Sequence, residues 1–321
     1  MSQRTESCVR NGSSGRRTDG AKPECPVLVT NLRGGLGNQM FQYACGRALA
    51  ADGGLSLRIA ADMLELAATS RAVELQRAFY LEVPSASRAE LALSLGVVRS
   101  HPYVRLLLEK PGLNWLRGPR FILETGVGKS SSLLSVARNG AYLHGYWQSE
   151  RYFAHQSDLI RTEYRFREPL LGRNAEVKKR ICAGPSASLH VRRGDYLLNP
   201  KTRAFHGACS REYYIAAITS LSREVPDLRW FAFSDEPQWV AEALQPVCPG
   251  LEIIDHNSGN DSIHDMHLMS LCDHHVIANS SFSWWGAWLN PSQAKKVIAP
   301  RQWFAGNKPS GDLVPEAWLK I

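Results

Sequence analysis

SASLHVRRGDY (186–196) reads as a short apolar strand that stops on two arginines, a glycine and an aspartate. It is the first of five such segments, followed by LRWFAFS (228–234), LEIID (251–255), HVIANS (275–280) and KKVIAP (295–300). Four stretches with helical spacing lie between them: SREYYIAAITSLSREV (210–225), PQWVAEAL (237–244), SIHDMHLMSLC (262–272) and FSWWGAWLN (282–290). In the first, Tyr214, Ile218, Leu221 and Val225 share one stripe, and Pro237 suits the first turn of the second. Parallel strands need crossover connections, so five strands alternating with four helices predict an α/β fold with a doubly wound parallel sheet.

The first half is less regular. VLVTN (27–31) predicts a buried strand ending in the turn RGGLGN (33–38), QMFQYACGRALAAD (39–52) a helix, and LSLRIA (55–60) a second strand. Residues 61–135 show a helix from Ser87 to Leu95 and a loop-rich stretch KPGLNWLRGPR (110–120); AYLHGYW (141–147) predicts a strand and Glu150 to Glu163 a helix. The expected division is a disordered Gly-, Ser- and Arg-rich leader over 1–24, a Rossmann-like domain over 25–170, a second over 171–305 and a tail over 306–321 packing back. The expected join lies in FREPLLGRNAEVKKRICAGP (166–185).

Composition narrows the function classes. A chain of 321 residues, 44% hydrophobic, with 9 Trp, 10 Tyr and 10 Phe is not disordered, and it shows no heptad, collagen or solenoid period. The formal charge of +8 points to anionic partners, yet no basic stripe interleaved with aromatics speaks for nucleic acid. Seven cysteines at 8, 25, 45, 182, 209, 248 and 272, without CxxC spacing, argue against a disulfide framework or structural zinc and for a reducing, cytoplasmic setting. No apolar run reaches membrane-spanning length, and no apolar segment follows the basic N-terminus to make a secretory signal.

Ligands of open parallel sheets bind beyond the carboxyl ends of the strands. Those ends carry HVRRGDY (190–196), FSDEP (233–237) and ANSSFSWW (278–285). Arg192 and Arg193 offer guanidinium donors to a diphosphate; Ser280, Ser281 and Ser283 sit where a helix begins and its dipole favours an anion. Asp235 has acceptor oxygens for a base N–H or a ribose hydroxyl, or else caps the next helix, as Ser281 would cap its own. The turn RGGLGNQ is not GxGxxG, because Met40 takes the last glycine position. GVGKSS (126–131) lacks the first Walker glycine, since Leu123 stands there, and no strand is expected to lead into it. His264 and His267, one turn apart, have no third ligand on their face, so no metal site is expected. Trp284, Trp285 and Trp288 are expected to pack the last helix onto the sheet.

Five ordered motifs, GGLGNQMFQYA (34–44), GYWQSERYF (145–153), HVRRGDY (190–196), FSDEPQWV (233–240) and HDMHLMSLCDHHVIANSSFSWWGAWLN (264–290), resemble the bacterial α-1,2-fucosyltransferases of glycosyltransferase family 11. The resemblance implies a GT-B architecture of two facing Rossmann-like domains. It implies inverting transfer of L-fucose from GDP-β-L-fucose to the 2-hydroxyl of a galactose-containing glycan, soluble or lipid-linked, with no metal or other cofactor. Arg192 would hold the β-phosphate; His190 and Asp235 would contact guanine; Ser280, Ser281 and Ser283 would form the phosphate loop. Asn38 would lie near the fucose, with Gly35, Gly37, Gln39 and His144 on the acceptor side. Asp195, His144 and Glu150 are the open choices for a general base, Asp195 being also a group that only orients the arginines. The basic balance permits loose contact with the inner membrane.

Overall fold

A computed structural model describes residues 26–66, 72–82, 84–124, 130–306 and 310–321. The expected leader, and most of GVGKSS, lie outside the described residues. Two parallel sheets organise the chain. The first contains β1 (Val27–Asn31), β2 (Ser56–Ala60), β3 (Phe121–Leu123) and β4 (Ala141–His144) in the order β2-β1-β4-β3. The second contains β5 (Ser186–Val191), β6 (Arg229–Ser234), β7 (Glu252–Ile254), β8 (His274–Val276), β9 (Val297–Ala299) and β10 (Leu319–Lys320). Its order, β10-β9-β8-β5-β6-β7, is the doubly wound pattern 6-5-4-1-2-3 in chain sequence.

Every residue of β5 is buried, as a central parallel strand covered on both faces must be. Its alternate side chains part company. Ala187, Leu189 and Val191 join Tyr214, Ile218 and Leu221 of the Arg211–Glu224 helix, whose first turn is capped by the Ser210 side chain. Ser186, Ser188 and His190 face the other way. There Ser188 Oγ meets His275 Nδ1 at 2.9 Å, and Asn290 Nδ2 reaches His275 Nε2 at 3.1 Å. Because the amide donates to Nε2, the His275 proton sits on Nδ1 and the ring is neutral. Complete burial pushes its pKa well below 6.5 for the same reason.

The structure departs from the sequence reading in two places and adds detail in two others. The expected helix from Glu150 to Glu163 is two single 3₁₀ turns, Glu150–Tyr152 and Ala154–Gln156, then a helix over Ser157–Glu163. Phe153 breaks the spacing because its ring is drawn between Phe41 and Trp285. A strand, β3, does lead toward GVGKSS. The stretch expected to join the halves holds a helix, Gly172–Ile181, that buries Val177 and Ile181. Finally, the tail returns to the second sheet as β10, pairing in parallel with β9.

The tryptophans share a core cluster with Phe231, Phe233, Val297 and Ala299 of the second sheet, and they also reach across to the other half. The Ser281–Leu289 helix buries Trp284, Trp285 and Trp288 against the first half of the chain. Phe41 lies 4.4 Å from Trp284 and 4.9 Å from Trp285, and Phe153 stacks on Trp285 at 5.4 Å. Trp285 Nε1 donates to the Gly37 carbonyl at 2.9 Å, and Trp288 Nε1 donates to Glu150 Oε2 at 3.1 Å. The Leu36–Gly53 helix, apolar on nearly all sides, is therefore core for both halves. Its start is set by Gly34, whose φ of +72° few side chains tolerate. Gly37 touches the second half so closely that a Cβ there would stand 2.7 Å from the Ser281 backbone carbon.

Two measurements test this packing. Gly37→Ala should destabilise the protein by about 1–3 kcal/mol in urea titration, since the obstructing atoms are backbone; unchanged stability would contradict the close approach. His275 is neutral in the fold while the unfolded chain takes up a proton near its ordinary pKa. Its contribution is therefore complete above pH 6.5 and falls by about 1.4 kcal/mol per unit below it. The stability advantage of wild type over His275→Gln should shrink accordingly between pH 6.5 and 5, other titrating groups being common to both.

Candidate active site

Register brings the three expected strand ends together. Val191 pairs with Ser234 and Leu189 with Val276, so the tips of β8, β5 and β6 stand side by side. Strand order reverses between β5 and β8, the place where an open sheet parts to form a crevice. The Ser281–Leu289 helix begins there, with Ser280 as N-cap accepting from the Phe282 N–H at 3.3 Å. Gly37 and Trp285 bring the start of the Leu36–Gly53 helix to the same point. The carboxyl edges of the two sheets thus face each other, and two helix N-termini direct partial positive charge at one region.

Arg192 is the cation of this crevice. Its Nε lies 3.3 Å from Asp235 Oδ2, its guanidinium carbon 5.9 Å from the Tyr196 ring, and a third of its side chain stays open to solvent. The Tyr196 hydroxyl donates to the Asn279 carbonyl at 3.1 Å, tying the β5 and β8 loops. His190 lies beneath Arg192, buried, 5.8 Å from the Phe282 ring, and its Nδ1 has no partner among the described residues. Burial first, and then the Arg192 charge, push its pKa down to about 3, so it is neutral.

Other expected donor residues have different jobs. The Asp235 carboxylate accepts from the Arg193 N–H at 2.9 Å and the Gly194 N–H at 3.1 Å. It caps the Gly194–Leu198 helix of the neighbouring strand's loop, not the helix that follows it. Arg193 turns away from the crevice, its guanidinium 4.1 Å from the Trp239 ring and its Nε 3.3 Å from Glu236. Ser283 is fully buried and donates to the Ser280 carbonyl; Ser281 is half-buried against Gly37. Asp195 is the second residue of the Gly194–Leu198 helix, and its side chain lies outside the described residues.

On the first-sheet side, Asn38 is half-buried and its Oδ1 accepts from Gln148 Nε2 at 2.7 Å. Gly35 is the N-cap of the Leu36–Gly53 helix. Gln39 is fully buried and structural: its amide donates to the Gly34 and Ala72 carbonyls and accepts from the Glu74 N–H. Glu150, bonded to Trp288, is a seam residue. His144 does not open onto the cleft. It is fully buried at the end of β4, with Nε2 at 2.8 Å from Glu109 and 3.3 Å from Arg33 Nη1. Burial lowers its pKa, which the Glu109 contact only partly offsets.

Glu109 and Arg33 were not anticipated. Arg33 precedes the paired glycines and closes a 3.1 Å ion pair with Glu109. Burial works to raise the Glu109 pKa, but the His144 hydrogen bond and the Arg33 charge outweigh it and hold the carboxylate ionised. Both side chains are about a quarter exposed, and the Arg33 guanidinium lies 5.7 Å from the exposed Tyr146 ring. Arg33 adjoins a motif that was read; nothing in the irregular region marked Glu109.

No group of three His, Cys, Asp or Glu side chains among the described residues is arranged to hold a metal. His267 stacks on Phe166 at 4.1 Å, and His264 lies 3.6 Å from Glu168.

Comparison with known proteins agrees with this arrangement. The family model described as glycosyl transferase family 11 matches residues 115–316. An alpha-1,2-colitosyltransferase of Escherichia coli is 32% identical over 299 residues, covering 92% of this chain and 99% of that protein. The O-antigen biosynthesis glycosyltransferase WbnK of Escherichia coli is 32% identical over 322 residues, covering 92% and 100%. The fucosyltransferase NodZ from Bradyrhizobium shares the fold, with a TM-score of 0.55 at 13% identity over 83% of this chain and 94% of that one. NodZ alpha-1,6-fucosyltransferase soaked with GDP-fucose gives 0.53 at 14% identity, over 83% and 93%. With its two facing Rossmann-like domains, the chain has the GT-B architecture and belongs to glycosyl transferase family 11.

Proposed function

We propose that the protein transfers L-fucose from GDP-β-L-fucose to the 2-hydroxyl of a galactoside, with inversion at the anomeric carbon. The observation that carries this reading is the crevice where Arg192 and two helix N-termini converge. In the transfer, the acceptor oxygen forms a bond to C1 as the bond from C1 to the β-phosphate oxygen breaks, and the electron pair leaves on GDP. Arg192 and the Ser280–Phe282 N-terminus stabilise the charge growing on the diphosphate, a role a divalent cation fills in other glycosyltransferases. The hydroxyl proton is lost once the new C–O bond has made the oxygen acidic, so water suffices as its acceptor. His190, neutral beneath Arg192, supplies a ring nitrogen to the guanosine. Asn38 borders the sugar, and Asp235 acts by fixing the Arg192 loop.

The 32% identity to a colitosyltransferase supports a second donor reading. Colitose is fucose without its 3-hydroxyl, so the two GDP-sugars differ by one polar contact. A site that hydrogen-bonds that hydroxyl should reject the deoxy sugar strongly, whereas an apolar one should not. Turnover of both donors with a galactoside panel, read by mass spectrometry, decides between them.

Arg192→Ala should lower kcat by about 10²–10³-fold, with the circular dichroism spectrum unchanged. Arg192→Lys should recover only part of this, because the ammonium lacks the planar fork. Near-normal turnover in Arg192→Ala would remove Arg192 from the mechanism. GDP should raise the melting temperature more than UDP or ADP does, and chelator should leave turnover unchanged; a UDP preference would overturn the guanine assignment.

A further inference from the structure

Six of the fourteen large apolar side chains exposed among the described residues fall within residues 93–115: Leu93, Val97, Val98, Tyr103, Leu107 and Trp115. Such crowding needs an explanation, since scattered exposed apolar residues would not cluster in so short a stretch. The exposures are large, 80% for Val97 and 78% for Trp115. The local fold puts them outward. The Arg88–Leu95 helix buries Leu91, Ser94 and Leu95 and leaves Leu93 out. The Pro102–Leu108 helix buries Arg105 and Leu108 and presents Tyr103 and Leu107, one turn apart, on the other side. Three arginines staple these pieces into one surface. Arg120 donates to the Leu93 carbonyl at 3.2 Å, Arg99 to the Leu116 carbonyl at 2.6 Å and Arg117 to the Leu108 carbonyl at 2.8 Å.

Charge on this surface is of one sign. Residues 88–120 contain Arg88, Arg99, Arg105, Lys110, Arg117 and Arg120 against only Glu90 and Glu109. Glu90 is taken up by Arg58 and the Ser87 N–H, and Glu109 by Arg33 and His144. Arg105 is buried against Asp62. What faces outward is apolar area with Arg88, Lys110 and Arg120 exposed in the same segment. A second copy of the chain would bring the same positive charge and be repelled. An anionic phospholipid surface matches both the apolar area and the exposed cations.

We infer that the 88–120 segment is a membrane-docking surface, with Leu93, Val98 and Trp115 entering the headgroup boundary of an anionic bilayer and the exposed cations pairing with lipid phosphates. The Pro102–Leu108 helix leads directly to Glu109 and so to the carboxyl edge of the first sheet, which docking here would hold close to the bilayer. The docking itself does not rest on the donor reading.

The test is co-sedimentation of the full chain with phosphatidylcholine vesicles, either pure or containing about 30% phosphatidylglycerol. Binding to the anionic vesicles should be at least about ten-fold tighter and should weaken with added salt. The triple variant Leu93→Gln, Val98→Gln, Trp115→Gln should lose about ten-fold or more of that binding. Arg88→Glu with Lys110→Glu should abolish the preference for anionic vesicles. Unchanged near-ultraviolet circular dichroism in the variants keeps folding out of the readout, and a GDP thermal shift reports separately on the donor site. Equal binding of wild type to both vesicles, undiminished binding by the triple variant, or dimerisation through the patch without vesicle binding would each overturn the inference.

Discussion

The contact on which the molecule depends is the aromatic seam between its halves. Phe41 and Phe153 from the first half interlock with Trp284, Trp285 and Trp288 from the second. Each well-oriented ring pair adds about 0.5–1.5 kcal/mol beyond the area it buries. The indole N–H groups of Trp285 and Trp288 find a carbonyl and a carboxylate across the seam, so the large rings enter without leaving a donor unpaired. The result fixes direction as well as strength. The bond to Gly37 places the start of one helix against the start of another, and the cleft between the carboxyl edges follows from that placement.

Positive charge is concentrated in the cleft without being spread through its surroundings. Arg192 is held by Asp235, whose oxygens also take the N–H groups of Arg193 and Gly194 in Arg192's own loop, so the guanidinium is oriented before any ligand arrives. His190 nearby is kept neutral, burial first and then the Arg192 charge pushing its pKa down to about 3. A neutral His190 ring below the guanidinium avoids the repulsion that a second buried cation would bring.

The buried parallel strands were legible in the sequence as short, β-branched or apolar-rich segments bounded by turn residues. β1 and β5 appear with the bounds the residues suggested, and the five strands of the second half alternate with helices as their spacing required. Two short pieces were not legible. β3 lies in the irregular 61–135 region and β10 has only two residues, so neither is framed by the strand–helix alternation that marked β7, β8 and β9. Site chemistry was legible to the strand end and no further. Arg192 and Arg193 look alike in sequence, but consecutive residues leave a strand on opposite sides: one borders the crevice, the other lies over Trp239. Asp235 reads as a ligand group until the neighbouring loop's N–H groups claim it. Glu109 was invisible because its partners, Arg33 and His144, come from two distant strand ends.

The same cluster joins the two halves of the functional argument. Arg33 follows β1 and His144 ends β4, the neighbouring central strands of the first sheet, so this cluster lies at the carboxyl edge of that sheet. This cluster and the Arg192 crevice both pair a partly open guanidinium with a carboxylate and a buried neutral histidine. Their charge balance differs. Glu109 faces Arg33 directly and cancels its charge. Arg192 has its Asp235 partner largely committed to backbone N–H groups, and the dipoles of two helix N-termini add to its charge. The chain thus carries an electropositive crevice at the edge of the second sheet and a charge-balanced cluster at the edge of the first, with the tryptophan seam between the halves.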